Sequence, residues 1–272
     1  MRQLKTLRQM IVLFGMVNGA IAFLIRVREH CVKSSHPIQR RMRVRGIPHP
    51  IAFRPGTSDW NAIAQVFDEQ EYAIPSKEHD QSIDNFYERC VAQGLRPLII
   101  DCGGNIGAAS IWFALRFPLA KVIAIEPEAL NCRLLSENIA RYPSVEVRCG
   151  GISNRKTNMK LSNVGDAPWA WETTEDETGE IETYTIPDLL LENPSCCLMI
   201  VKIDIEGSEV ALFRSNISWI EDAPLIIFEA HDWLFHWRGT SHAILSALTI
   251  APRDYLQHGE NTFSFSHSLL HS

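Results

Sequence analysis

The chain has 272 residues, 46% of them hydrophobic and 21% charged, with 15 Gly and 14 Pro. This balance excludes a disordered chain, a collagen, a coiled coil and a polytopic membrane protein, and leaves one large α/β domain with an extension or two small domains. The net charge of −6 is unevenly spread: residues 1–55 hold eleven Lys and Arg against one acid, Glu29, and the rest holds 15 bases and 31 acids, a split that suggests a leader meeting an anionic surface and a body with a separate task.

In chain order, residues 10–25 (MIVLFGMVNGAIAFLI) form an apolar run of sixteen, with Arg2, Lys5 and Arg8 before it and Arg26 and Arg28 after it. A spanning helix needs about 20 apolar residues, and no small-residue cleavage site follows. Three readings stay open: a helix packed on the body or on a second subunit, a helix lying in a membrane interface, or a short signal anchor. The flanking bases favour anionic lipid where a membrane is involved, so peripheral membrane contact is assigned to residues 1–45. Residues 39–45 (QRRMRVR) read as an alternating strand with an outward basic face.

Residues 54–75 carry turn signals and then a helix, capped by Ser58 or Asp59, with Ile63, Val66 and Phe67 on its apolar face. A regular rhythm begins at residue 97. Short apolar strands are predicted at 97–101, 121–126, 145–149, 197–204 and 225–229. Helices are predicted at 108–117 and 128–140, the second with Pro127 at its start. Continuous apolar strands alternating with helices imply a parallel sheet covered on both faces. Segments 255–257 and 263–266 read as a terminal hairpin or edge strands, and the acidic stretch 172–182 as a solvated loop or hairpin tip. The chain divides into a basic extension, 1–50, and a domain, 51–272. Its seven cysteines contain no C-x-x-C pair and read as small buried hydrophobes in a reducing, cytoplasmic setting.

Ligands of open α/β sheets bind beyond the carboxyl ends of the strands. The residues there are Asp101, Glu126, the turn at Gly150–Gly151, Asp204 and Glu229. The first strand runs into a glycine-rich turn and a helix, and Glu126 lies 19 residues beyond the last loop glycine, the spacing at which an acid can take two ribose hydroxyls. A dinucleotide fingerprint requires G-x-G-x-x-G. Here Asn105 stands two residues after Gly103, and the pattern is D-x-G-x-N-x-G: Asp101, Gly103, Asn105, Gly107. An acid before the loop repels a pyrophosphate and suits an ammonium group, which favours S-adenosylmethionine over a nicotinamide cofactor.

These residues resemble the FkbM family of S-adenosylmethionine-dependent O-methyltransferases. The matching segments are IIDCGGNIGAAS, AIEPE, KIDIEGSE at 202–209 and FEAHDW at 228–233, with FRPGTSDW and QVFDEQEY upstream; the resemblance spans about residues 50–267. One departure is Cys102 before Gly103, where the family often has Ile or Val. The resemblance implies a Rossmann-like class I methyltransferase sheet of seven strands, the last antiparallel. It implies that Asp101, Gly103, Gly104, Asn105 and Gly107 surround the methionine part of the cofactor, that Glu126 with Pro127 holds the ribose, and that Gly151 and Ile152 lie near the adenine.

An alcohol is a poor nucleophile and wants a general base. His231 is the candidate, with Asp204 or Glu206 orienting the substrate or the cofactor ammonium. Glu206 and Glu209 read alternatively as caps of the following helix. Convergence of Asp204, Glu206 and His231 on a divalent metal is not visible in sequence, and no metal is expected. Trp169, Trp171, Trp233 and Trp237 read equally as a sugar-stacking wall or as core. The expected acceptor is a hydroxyl of a sugar, glycolipid or small metabolite. Methylation of nucleic-acid bases is disfavoured: the end of the fourth strand reads Asp204-Ile205-Glu206-Gly207 instead of Asn/Asp-Pro-Pro-aromatic, and the acidic body opposes phosphate. A protein methyltransferase, or a non-catalytic cofactor-binding module docked on a membrane, is the remaining alternative.

Overall fold

The computed structural model describes residues 2–16, 19–20, 22–24, 39–163, 171–175 and 178–271. The leader forms α1 (Arg2–Phe14). Its apolar face is used on the body: Met10, Leu13 and Phe14 are buried, and the Phe14 ring stacks 6.1 Å from Phe53 and lies tilted 5.3 Å from Trp60. Of the three readings of the leader, packing on the body describes these residues. Among the described residues no helix is long and apolar enough to cross a membrane. A short hairpin, β1 (Arg40–Met42) with β2 (Ile51–Phe53), follows, then α2 (Asp59–Phe67) and α3 (Lys77–Ala92).

The central rhythm is β3 (Arg96–Cys102), α4 (Ala108–Arg116), β4 (Lys121–Glu126), α5 (Ala129–Ile139) and β5 (Val145–Cys149). The chain then builds a small second sheet from β6 (Gly151–Ile152), β7 (Asn158–Asn163), β8 (Trp171–Glu175) and β9 (Ile181–Tyr184). It returns through α6 (Ile186–Leu191) to β10 (Cys196–Ile203), α7 (Glu209–Leu212), β11 (Leu225–Glu229), α8 (Thr240–Leu248), β12 (Arg253–His258), β13 (Asn261–Ser266) and α9 (His267–Leu270).

The main sheet has seven strands in the order β12-β13-β11-β10-β3-β4-β5. Strands β5, β4, β3, β10 and β11 are parallel, and β13 runs antiparallel to both β11 and β12. This is the expected class I methyltransferase sheet with its last strand reversed. Side chains alternate between two cores. Ile99, Val122, Ala124 and Ile200 face one, with α1 to α5; Leu98, Ile100, Ile123 and Val201 face the other, with α6, α7 and α8. After β5 the chain crosses back to place β10 beside β3, so the strand order reverses between β3 and β10 while the two strands stay parallel. The register sets Cys102 against Ile203 on one side and against Ile125 on the other. The carboxyl ends of β3, β4 and β10 therefore open at one level, where such sheets form a ligand crevice.

Two expectations are corrected. Residues 172–175 are strand and not loop tip: they belong to β8, and Thr173 pairs with Leu161 of β7. The cysteines are not all reduced: Cys132 of α5 is joined to Cys149 at the end of β5, because packing α5 on β5 brings their Cα atoms to 5.8 Å. Cys90 and Cys102 are buried free thiols, as expected of small core residues.

Candidate active site

The glycine-rich loop is built by backbone conformations that side chains resist. Gly103, Asn105 and Gly107 have φ of +86°, +48° and +90°, and Gly107 in this left-handed region caps α4. The amides of Gly103 and Gly104 donate to the carbonyl of Ile125, which pins the loop to the end of β4. A Cβ on Gly103 would stand 1.8 Å from the carbonyl oxygen of Asp204, so only glycine lets this loop touch the turn after β10.

Lys202 holds the loop from behind. Its side chain is 2% exposed, its Nζ lies 3.1 Å from Asp101 Oδ1 and 3.4 Å from Asp204 Oδ2, and it donates to the carbonyl of Gly103 at 2.7 Å. Burial opposes the ammonium charge, yet Asp101 and Asp204 hold it protonated well above the usual lysine value. Asp101 is fully buried and also accepts from Ser110 Oγ at 2.5 Å. Its carboxylate is therefore committed inside the protein and does not line the cavity, contrary to the expected contact with a ligand ammonium. Gly104 and Gly107 likewise face Leu135 of α5 and shape the loop from behind.

A cavity of about 490 Å³ opens in front of the loop. Gly103, Asn105, Glu126, Pro127, Gly151, Ile152, Asp204, Glu206, Glu229 and His231 all line it, so one space unites most of the expected site residues. Glu126 is nearly buried. Its Oε2 accepts from the amide of Asn105 at 2.8 Å and its Oε1 from that of Glu128 at 2.9 Å. Burial pushes its carboxyl up to about 7 against these hydrogen bonds. Glu206 has a left-handed backbone, φ +43°, before Gly207 at +95°. Glu128 and Glu260 add to an acidic wall that Arg54 relieves from one side; Arg54 itself is held by Asp59 through two hydrogen bonds of 2.8 Å.

His231 opens the turn His231–Trp233 directly after β11. It is 2% exposed. Its Nδ1 lies 2.6 Å from Glu209 Oε1, and its Nε2 lies 3.6 Å from both Asp204 Oδ1 and Glu229 Oε1. Burial disfavours the imidazolium, but Asp204 and Glu209 outweigh it and push the group up to about 11. Burial and the nearby Asp204 charge push Glu229 up to about 8. Asp204 stays well below the usual carboxylate range despite burial, because Lys202 and His231 favour its charge. His231, the expected general base, therefore stands in a cluster with Asp204 and Glu229, both of which face its Nε2. Ligand atoms of Asp204, Glu229 and His231 lie within 4.8 Å of one another; of the trio considered from sequence, Glu229 stands where Glu206 was expected.

Sequence reasoning gave Lys202 no role and read Glu209 as a helix cap. The signals were present: a lysine inside an otherwise apolar strand needs a buried counter-charge, and its neighbour β3 ends in Asp101. Among the four tryptophans, Trp233 lines the cavity and Trp237 is exposed. Trp169 lies outside the described residues, and for Trp171 the structure describes only the backbone of β8.

The profile of the Methyltransferase FkbM domain matches residues 101–259, from the first loop acid to the last hairpin. The chain belongs to the FkbM family of S-adenosylmethionine-dependent methyltransferases. A stretch of 58 residues is 45% identical to the AMB antimetabolite synthetase AmbE of Pseudomonas aeruginosa, covering 21% of this chain and 3% of that protein. Over 157 residues the chain is 24% identical to Methyltransferase 1 of Beauveria bassiana, covering 47% of this chain and 63% of that protein. The chain thus spans less than two thirds of either relative. A solved methyltransferase from Geobacter sulfurreducens aligns with a TM-score of 0.37 at 15% identity, over 76% of this chain and 86% of that one.

Proposed function

We propose that this FkbM protein transfers a methyl group from S-adenosylmethionine to a hydroxyl of a sugar, glycolipid or small metabolite. The observation that carries the reading is the acidic cavity joining the glycine-rich loop and Glu126 to Asp204, Glu229 and His231. The residues present suit the cofactor. Glu126 at the end of β4 would hold the ribose diol, and Gly151 and Ile152 would border the adenine beside the apolar Ile125 and Leu161. Gly103 and Asn105 would border the methionine part. The role assigned to Asp101, recognition of a cationic ligand, passes to the acidic wall that does line the space.

When bound, the cofactor supplies an electrophilic methyl group on a sulfonium. Methyl transfer is an in-line displacement in which the protein contributes mostly position. Glu126 fixes one end of the cavity, and Asp204 and Glu206, on the turn locked to Gly103, orient the acceptor at the other. The acceptor hydroxyl would meet the Asp204–Glu229–His231 cluster, where a carboxylate would take its proton as the oxygen bonds the methyl group and the sulfonium leaves as a neutral thioether.

Peripheral contact of residues 1–45 with an anionic lipid surface belongs to the same proposal. It is supported by Val12, Met16 and Leu24, which stay exposed, and by the bases around them. The test of the activity is incubation of the purified protein with isotopically labelled S-adenosylmethionine and cell extract, followed by mass spectrometry. The expected product is a small molecule or glycan with one added methyl ether. Label on nucleic acid or on protein amines, or no transfer by protein that binds the cofactor, contradicts the reading.

A further inference from the structure

We propose that the carboxyl ends of β10 and β11 carry a divalent-cation site, with Asp204, Glu229 and His231 as ligands and Glu209 as the group that orients the imidazole. The site itself stands on geometry; its role in receiving the acceptor rests on the methyl-transfer reading.

Three observations converge. First, His231 is almost wholly buried, and its Nε2 aims between two carboxylates without closing on either. The two 3.6 Å separations, to Asp204 Oδ1 and Glu229 Oε1, are outside hydrogen-bond range. They are close to what one ion imposes: ligand atoms about 2.0–2.2 Å from a metal stand about 3–3.5 Å from each other. Second, the other ring nitrogen is already anchored, 2.6 Å from the fully buried Glu209. A carboxylate behind a histidine in this way fixes the tautomer that turns the Nε2 lone pair toward a metal. Third, the ligands come from rigid backbone. Glu229 and His231 are two residues apart at the end of β11, Asp204 follows the paired strand β10, and its amide is bound to the carbonyl of Cys102 at 3.1 Å.

The donor set narrows the ion. One imidazole and two carboxylates suit Mn²⁺, Fe²⁺, Co²⁺ or Zn²⁺, whereas Ca²⁺ and Mg²⁺ prefer oxygen alone. Three protein ligands leave neighbouring positions open toward the cavity. An acceptor with two adjacent oxygens, such as a vicinal diol, would fill them, and a hydroxyl touching the ion would be more acidic than one in water and would pass its proton to solvent more readily. This names a narrower substrate class than a lone hydroxyl.

The test is titration of the full chain with Mn²⁺, followed by the electron paramagnetic resonance signal of the free ion, with and without S-adenosylhomocysteine. One ion per chain is expected. His231→Ala and Asp204→Asn should each weaken it at least tenfold. Glu209→Gln, outside the ligand set, should weaken it about 10- to 100-fold. Glu229→Gln keeps side-chain volume and serves if another variant fails to fold, as judged by circular dichroism. No bound Mn²⁺ in the wild type, or equal binding by the folded variants, overturns the site. Methyl transfer that proceeds in wild type unable to bind Mn²⁺ overturns the site alone. Bound Mn²⁺ with no transfer to any hydroxyl overturns the functional reading and leaves the site standing.

Discussion

Replacing Lys202 by methionine isolates what holds the cofactor loop in place. The two side chains of the pair are 2% and 0% exposed, with Nζ 3.1 Å from Asp101 Oδ1. Methionine keeps most of the stem volume but leaves the Asp101 carboxylate with Ser110 as its remaining side-chain donor. Removing one partner of a buried pair costs about 3–5 kcal/mol, because the other charge stays out of water. Each kcal/mol moves the melting midpoint of a chain this size by about 2–4 °C, so Lys202→Met should melt about 6–20 °C below wild type. The double variant Asp101→Asn/Lys202→Met buries no net charge and should recover at least half of the loss. Both variants lack the donor to the Gly103 carbonyl, so both should bind S-adenosylhomocysteine more weakly than wild type. Thermal melts by circular dichroism and calorimetric titration give both readouts. A Lys202→Met chain melting within about 2 °C of wild type, or a double variant no more stable than the single one, refutes the reasoning.

Gly103→Ala places a Cβ 1.8 Å from the Asp204 carbonyl at φ +86°, whereas Gly94→Ala at φ +74° meets open space; only the first should lose cofactor affinity, by more than about tenfold, and equal binding by both contradicts the close approach. Glu126 titrates near 7 because it is buried, and its ionised form is the acceptor for ribose hydroxyls, so S-adenosylhomocysteine should bind about tenfold tighter at pH 8 than at pH 6. The sign for folding is opposite. The stability that the protonated form contributes is full below the usual carboxylate range and is lost as pH rises through about 7. A pH-independent affinity in wild type, or the same slope in Glu126→Gln, removes this role. Phe14→Ala should cost about 3–5 kcal/mol in urea unfolding, since its ring sits 5.3 Å from Trp60; a neutral result places α1 off the body. Replacing Arg2, Lys5 and Arg8 together by Gln removes three bases of the leader and should reduce co-sedimentation with anionic liposomes at low salt; unchanged sedimentation removes the lipid contact.

The parallel strands were legible because they are buried on both faces and read as continuous apolar runs. Val122 to Ile125 can be placed from sequence alone. The crevice followed from strand ends, and so did Glu126, Gly103, Asn105, Gly151 and Asp204. Helix α3 was not anticipated, because only Ile83, Phe86 and Cys90 of its sixteen residues are buried and its polar faces hide the period. The start of α5 was expected to include Pro127; Glu128 is the cap instead, its carboxylate accepting from the amides of Leu130 and Asn131. The surroundings of Asp101 and His231 were not legible: each faces a partner distant in sequence, Lys202 and Glu209, and a titratable group cannot be read without its buried counter-charge. The Cys132–Cys149 bridge was equally hidden, since it depends on how a helix lies on a strand.

Calorimetric titration of the full chain with S-adenosylhomocysteine, beside Glu126→Ala, is the most direct test of where the cofactor sits. One binding event per chain is expected, weakened more than about tenfold by the substitution, as fits the loss of hydrogen bonds to a charged group. No heat in the wild type, or equal affinity in the variant, contradicts a crevice at the ends of β3 and β4 built to take an adenosyl sulfonium.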